Sequence, residues 1–498
     1  MADTNFGGSA GSAHEAHEAV YWMGGDPRWQ PVLTEGPLTK SVSADVCIVG
    51  GGFSGLWSAY WIKRLAPDAK VVLLEREFCG SGASGRNGGW VNGWEDSIGT
   101  LVSRFGAESA KWLLEASIAG TDAMRAVVAE GGIDCDLAFE GALIAALSYA
   151  QLDGLRGLPA AAEAIGRGDL IRELSAEETQ EACGSPRAVG GLLLTKAGSV
   201  QPALFVQGLR RLAVEAGVLL YEASPMTNLR RTSPAVVETP AGSVIADQVV
   251  LTCGPWLAGL RELRRTLFII PSHVVASAPA AEALDGLGWR HGRPFADSRT
   301  SVHYGQRTGD DRLVFGRGGG QLGYAGHIIP GHFHDPAEIT AIVADLHELL
   351  PATSGLPIEW TWGGPVERTQ HGSPWVGSLG SHGNIHYGTG YSGNGVCPTQ
   401  LIGRTLASVA LGLDDEYASS PLVSEPPSYL PPEPARSVGA RAVRAAINRC
   451  EEQADKGLQP DRLSRLVSRG LDFSMPKVPK VPKGLRLPGV SRRERRDD

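Results

Sequence analysis

The sequence predicts an α/β protein in two interleaved parts: a strand-turn-helix-strand unit extended into a sheet, and a second part of mixed helices and strands, α+β in character. Three observations predict it. From Asp45 the chain reads DVCIVG, GGFSGLWSAYWIKRL and KVVLLE, so its apolar spacing changes from strand to helix and back to strand. Residues 201–252 repeat helix and strand patterns that fit the same sheet. The stretches 98–181 and 266–362 are instead helix-rich and mixed, with strand candidates such as 312–316.

Each element has a local reason. The first helix stops near Ala66-Pro67-Asp68 because proline cannot continue it. Residues 201–217 read as helix and 218–222 as strand, and a strand at 248–252 is closed by Cys253-Gly254-Pro255. A later helix is expected at 398–411. After Pro421 come proline clusters, a helix at 435–456 and the near-repeat PKVPKVPK ending at Lys483. From Pro434 onward there are 16 Lys/Arg and 8 Asp/Glu, so this tail is about +8 within a chain of net charge −8. It reads as a solvated appendage or, more sharply, as a docking segment for an acidic partner or an anionic membrane surface.

With 42% hydrophobic and 20% charged residues, the 498-residue chain has globular composition. Its acidic total argues against nucleic acid as the main partner. Seven scattered cysteines without a C-x-x-C pair read as reduced thiols in the cytoplasm, and no metal is expected. Residues 1–20 lack the basic start and apolar core of a signal peptide and are expected to be a disordered lead-in. No run of about 18 apolar residues predicts a membrane span.

The chemistry lies in the turns. Gly50, Gly52 and Gly55 form G-x-G-x-x-G between strand and helix, the context in which this motif marks a dinucleotide site on a Rossmann-like fold. The helix N-terminus offers N–H groups to phosphates, and Glu75 ends the second strand where a carboxylate can accept from ribose hydroxyls. NAD and FAD are not separated by this motif. The glycine- and serine-rich loop 80–89, carrying Arg86 and Asn87, suits pyrophosphate and a flat flavin ring. A second G-x-G-x-x-G, at Gly388, Gly390 and Gly393, has no following strand ending in an acid, as a separate NADPH unit would need. It reads as the other wall of the first site, its helix N-terminus facing the flavin pyrimidine edge.

GGGFSGL, GSGASGRNGG, GYSGNGV and WGGPVERTQHGSPWVG together resemble the FAD-dependent D-amino-acid oxidase superfamily. Within it they are most similar to the glycine/sarcosine oxidase-like branch, which includes gamma-glutamylputrescine oxidase and aminophosphonate oxidoreductase types. The resemblance, over roughly 21–412, implies an FAD-binding domain of discontinuous segments (21–97, 191–262, 363–413). It also implies a substrate domain with a mixed or antiparallel sheet (98–190, 263–362), leaving 414–498 as an extension. Carried over residue by residue, FAD contacts fall on Gly50, Gly52, Phe53, Ser54, Gly55, Glu75 and Arg76. They continue on Ser81, Gly82, Ala83, Ser84, Arg86, Asn87 and Gly88, then on Met226, Gly254, Gly390, Tyr391, Ser392, Gly393, Asn394, Gly395 and Val396. Attachment sites used by some relatives are missing: Gly363-Gly364-Pro365 replaces a cysteine region and Ser84-Gly85-Arg86 lacks histidine, so FAD is expected to bind non-covalently. His371 stands where the family often has aspartate.

The resemblance further implies oxidation of a small amine or amino acid, with hydride passing from carbon to flavin N5, the imine then hydrolysed, and oxygen as acceptor. Side-chain candidates are His303, Tyr304, Arg317 and His371, with Arg307 and His327 behind them. Arginine suits a carboxylate or phosphonate; histidine suits proton transfer or a bond to the flavin. Trp90 and Trp94 are candidates for an apolar pocket. The competing readings are a dehydrogenase passing electrons to a protein or quinone, and a non-catalytic flavin-binding regulatory subunit.

Overall fold

A computed structural model describes residues 19–30, 36–426 and 428–468. The expected lead-in, apart from its last two residues, and the PKVPKVPK run lie outside these. The first eight-stranded sheet has the strand order Trp375–Leu379, Ile385–Thr389, Ser243–Leu251, Ser41–Val49, Val71–Leu74, Leu219–Tyr221, with Ala235–Glu238 and Asn228–Arg230 hairpinned onto Ser243–Leu251. Its central pairs are parallel, with Val49 opposite both Leu251 and Leu74. A parallel strand covered on both faces must be apolar throughout; accordingly Val71–Leu74, VVLL, is wholly buried.

The helix Phe53–Leu65 leaves the tip of the first strand and buries Phe53, Leu56, Trp57, Ala59 and Ile62. Burial of each large side chain contributes about 1.5–3 kcal/mol. Its partner is the helix Pro398–Ala410. The two approach so closely that a Cβ on Gly403 would stand 2.5 Å from Trp57 Cβ and 2.9 Å from Ser58 N. At the start of the first helix a Cβ on Gly55 would lie 1.9 Å from Gly50 O. Only glycine lets this turn fold back against its own strand.

The second eight-stranded sheet has the order Ile358–Arg368, Phe268–Ser277, Leu313–Gly318, His303–Arg307, Phe295–Asp297, Ala142–Ala146, Gly190–Leu194, Ile171–Leu174, mostly antiparallel. Two strands cross the boundaries expected from sequence. Gly190–Leu194 pairs with Ala142–Ala146 in this sheet, and Ile358–Arg368 runs past 363 before the chain leaves it. Strand pattern alone does not name the sheet a strand joins, since pairing is set by distant partners. The region 98–181 opens with the helix Ile98–Gly131, which is broken at Gly106 by a φ of 78°.

The tail departs from the solvated reading as far as it is described. Its helix Ala435–Asp455 docks on the loop between the strands Phe295–Asp297 and His303–Arg307, where Glu451 Oε1 accepts from Thr300 N (2.9 Å) and Ser301 N (3.0 Å). Asp455 accepts from Arg299 at 2.9 Å and Arg444 donates to Glu338 at 3.0 Å. Charge count misses this because the acids face inward against arginines of the body. Among the described residues no helix is long and apolar enough to cross a membrane.

Candidate active site

The early glycine turn is built from three segments. Gly51 N donates to Glu75 Oε2 at 2.7 Å and Glu77 N to Glu75 Oε1 at 3.0 Å, while Ser81 Oγ is 3.4 Å from the same oxygen. Burial raises the Glu75 pKa, and these backbone donors work against it. Ser84 Oγ accepts from Phe53 N at 2.9 Å, tying loop 80–89 to the helix entrance. Gly52, at the N-cap, provides no side-chain cap, so the first helical turn keeps N–H groups for a ligand. Arg76 lies 4.4 Å over the Trp256 ring and pairs with Glu77 at 2.7 Å; Gly82 faces the same tryptophan. Met226 is buried with Val49 and Leu74 at the end of the sheet.

Within loop 80–89, Arg86 is buried, donates to Ser81 O at 2.8 Å, and has its pKa lowered to about 10 by burial. Asn87 braces the loop by donating to Ser84 O (2.8 Å) and accepting from Gly89 N (2.8 Å). Gly88 packs on Tyr304, and Ala83 sits in the short turn beside Ser84.

The late turn meets the early one directly. Tyr391 OH is 2.6 Å from Ser54 Oγ. Gly390, Ser392 and Gly393 have φ of 92°, 57° and 94°, and Gly254 has 53°, conformations that expose successive backbone N–H groups. Ser392 Oγ accepts from Thr369 N (3.1 Å), Asn394 donates to Asp96 (3.3 Å), and Gly395 and Val396 lead into the helix Pro398–Ala410. Glu367, unforeseen from sequence, is 5% exposed, accepts from the backbone of Gly390 and Tyr391, and is pushed up to about 7 by burial.

Between the walls lies a cavity of 720 Å³. It is lined by Ala83, Arg86, Asn87 and Gly88 of the early loop, by Ser392, Gly393, Asn394 and Val396 of the late turn, and by Tyr304 of the second sheet. Trp90 and Trp94 line it too, and the helix Ala435–Asp455 supplies a wall through Ser437, Ala440, Val443 and Ile447. Of the four side-chain candidates, Tyr304 and His371 reach this cavity. Tyr304 OH bonds Ser272 Oγ at 2.7 Å, and burial pushes its pKa up to about 12. It is therefore a neutral hydrogen-bonding group. His371 is exposed at the rim, its pKa lowered by partial burial and by Arg104.

His303 and Arg317 are placed elsewhere, outside the cavity lining, in a partly buried ion network that reaches the cavity through Asp297. His303 Nδ1 is 2.7 Å from Asp297 Oδ2 and Nε2 is 3.1 Å from Asp345 Oδ2. Burial opposes its charge, but the two carboxylates prevail and raise its pKa to about 9. Arg317 bridges Asp345 and Glu338. Both nitrogens of the imidazole are thus occupied by carboxylates. Arg307 pairs with Asp285 and Asp311, and His327 sits on an exposed loop.

The cavity instead receives cations that sequence reading passed over. Arg368 lines it with its Nη2 3.8 Å from where a Cβ on Gly393 would be, and burial lowers its pKa. No carboxylate among the described residues pairs with it. Arg104, from the helix Ile98–Gly131, donates to Ser373 Oγ at 2.5 Å, its pKa brought down to about 10 by burial. Arg368 lay in full view within WGGPVERTQHG; Arg104 is one arginine of an unremarked helix and carries no local signal.

The DAO family model, described as FAD dependent oxidoreductase, matches residues 45–409. The chain belongs to this family. Gamma-glutamylputrescine oxidoreductase of Escherichia coli K12 is 30% identical over 400 residues, covering 80% of this chain and 89% of that protein. Glycine oxidase of Geobacillus kaustophilus is 22% identical over 384 residues, covering 73% and 92%. The crystal structure of glycine oxidase from Geobacillus kaustophilus superposes with a TM-score of 0.62 at 20% identity over 76% of this chain and 98% of that one, a likeness of fold. The chain has the residues for FAD. The glycine-lined cradle at Gly50–Gly55 would be filled by any Cβ, Glu75 offers a carboxylate at the strand end, and Gly254, Gly390 and Gly393 hold the opposite wall open.

Proposed function

We propose that this DAO oxidoreductase oxidises a small amine or amino acid, with non-covalently held FAD as its redox group and oxygen as final acceptor. One observation carries the reading: a half-buried guanidinium, Arg368, without a carboxylate partner among the described residues, borders a cavity whose two other walls are the glycine turns. Leaving such a charge without a carboxylate costs stability, which an anionic substrate group would offset. The activities named for the relatives, on gamma-glutamylputrescine and on glycine, point to the same class.

Bound FAD supplies a two-electron acceptor at its N5 for hydride from the carbon next to nitrogen. The chain itself supplies orientation and charge. Arg368, with Arg104 near the rim, receives a carboxylate or phosphonate. Trp90, Trp94 and the helix Ala435–Asp455 restrict water around the reacting carbon. Tyr304 donates or accepts a hydrogen bond without ionising. The late-turn N–H groups and the N-terminus of the helix Pro398–Ala410 would favour negative charge on a flavin held between the turns. Ser84-Gly85-Arg86 and Gly363-Gly364-Pro365 offer neither a histidine nor a cysteine for a covalent flavin link. Seven free cysteines fit the reducing cytoplasm.

The test is an anaerobic panel of amines and amino acids against the holoenzyme, followed by admission of air. Bleaching of the flavin band and then hydrogen peroxide release support the reading. Bleaching without oxygen-dependent turnover reassigns the acceptor, and no bleaching by any amine overturns the function.

A further inference from the structure

The cavity holds a second unsatisfied group, of opposite sign to Arg368. Asp96 sits in the short turn Glu95–Ser97 that leads into the helix Ile98–Gly131. Its Oδ1 accepts from Asn92 Nδ2 (3.0 Å), Ser97 Oγ (3.2 Å) and Asn394 Nδ2 (3.3 Å). One carboxylate oxygen therefore ties Asn92 and the entrance of the helix Ile98–Gly131 to the late turn and is fully engaged. Apart from its own backbone N–H, no further donor among the described residues bonds this carboxylate, and no Lys, Arg or His among them pairs with it. Because Asn92 uses its amide nitrogen on Asp96, its Oδ1 is left as an acceptor, and that atom is buried without a partner although Asn92 is only 1% exposed. Both residues line the cavity. A carboxylate without a cation, beside a buried amide oxygen without a donor, is a costly arrangement. The group that completes it must bring several N–H bonds and a positive charge.

We propose that Asp96 and Asn92 seat the substrate's cationic nitrogen. The proposal rests on the functional reading above and deepens it: the preferred ligand bears both an ammonium and an anionic group, the first on Asp96 and Asn92, the second toward Arg368. Asp96 is held at the correct angle by Asn394, so the seat is fixed relative to the late glycine turn. Neutral amide or hydroxyl ligands do not supply the charge, and acids lacking nitrogen leave the seat empty.

A purely structural brace makes a different prediction from a seat, and Asp96→Asn separates them. The amide keeps an oxygen for Asn92 and Asn394 but removes the charge. Holoenzymes of both forms, matched for flavin content, are compared with glycine, sarcosine and putrescine as amine ligands and with acetate and propionate as nitrogen-free acids. The readouts are KM and kcat for whichever amine turns over, and the perturbation of the flavin spectrum by each acid. The seat predicts a KM raised by about tenfold or more with kcat less affected, equivalent to about 1.4 kcal/mol, and acid binding unchanged within about twofold. An unchanged KM, or an equal loss for amines and acids, overturns the seat while the oxidase reading stands. If none of the amines perturbs or reduces the wild-type flavin, the seat and the reading fall together. Should Asp96→Asn lose its flavin, Asp96→Ser, which retains an acceptor without the charge, is read in the same way.

Discussion

Ser54 Oγ and Tyr391 OH lie 2.6 Å apart although 337 residues separate them in the chain. Ser54 stands in the first turn of the helix that follows the early glycine motif, and Tyr391 in the middle of the late one. Both side chains are in part or wholly removed from water, and burial raises the Tyr391 pKa, so the pair is a neutral hydrogen bond that fixes the separation of the two walls. Tyr391→Phe leaves the Ser54 hydroxyl without this partner. We expect a loss of about 0.5–1.5 kcal/mol in unfolding free energy and weaker retention of FAD on dialysis; an unchanged melting curve and flavin content contradict the clamp.

Glu75 is already held by two backbone N–H groups, so its orientation does not depend on the cofactor. Glu75→Ala removes the proposed acceptor for ribose hydroxyls and releases Gly51 N. The expected cost to FAD affinity is about 1–3 kcal/mol, read as the dissociation constant in a fluorescence titration. Equal affinity of the two proteins places the ribose elsewhere.

Arg368 is predicted to trade stability for function. Arg368→Met removes a half-buried charge that has no carboxylate partner among the described residues while keeping much of its volume. The melting temperature of the ligand-free variant is expected to rise, and binding of carboxylate ligands to fall by at least about tenfold. A lower melting temperature with unchanged ligand binding makes Arg368 a structural residue.

His303 gives a pH dependence with a definite sign. Its folded-state pKa of about 9 lies above the ordinary value of 6.5. The stabilisation is therefore complete below about pH 6.5 and is lost as the pH rises through about 9. The size is up to about 3 kcal/mol by the free energy of a pKa unit. Melting temperatures of wild type and His303→Gln at a series of pH values should converge as the pH passes about 9; a constant gap shows that the imidazole is not charged in the network.

How legible this was from sequence depends on the range over which each feature is determined. DVCIVGGGFSGL announces its own turn, because strand, glycines and helix are neighbours in the chain, and loop 80–89 and the late glycine turn carry equally local signals. The role of His303 was not legible. HYGQR looks like any half-polar strand, and only folding brings Asp297 and Asp345 to the two ring nitrogens. Arg317 is a candidate substrate ligand from its glycine-rich surroundings, yet Glu338 and Asp345 arrive from a helix beyond a long loop. The tail shows the same limit: a net charge of about +8 conceals Glu451 turned inward on Thr300 and Ser301.

That inward contact makes the helix Ala435–Asp455 a wall that can be loosened. Glu451→Ala deprives two backbone N–H groups of their acceptor, about 1–3 kcal/mol. Limited proteolysis should then cut within 435–468 at lower protease concentration than in wild type, with flavin content preserved and KM raised. Unchanged proteolysis would mean that the neighbouring Arg299 and Arg444 pairs hold the helix without it.

The central claim is that the two glycine turns present a redox-active flavin to an amine in the cavity they share. Anaerobic titration of the purified holoenzyme with amines and amino acids, watching the yellow absorbance band, tests this most directly. The account predicts one FAD per chain and full bleaching by at least one ligand that carries both nitrogen and an anionic group. A protein that binds FAD and is bleached by dithionite but by no amine or amino acid would contradict it.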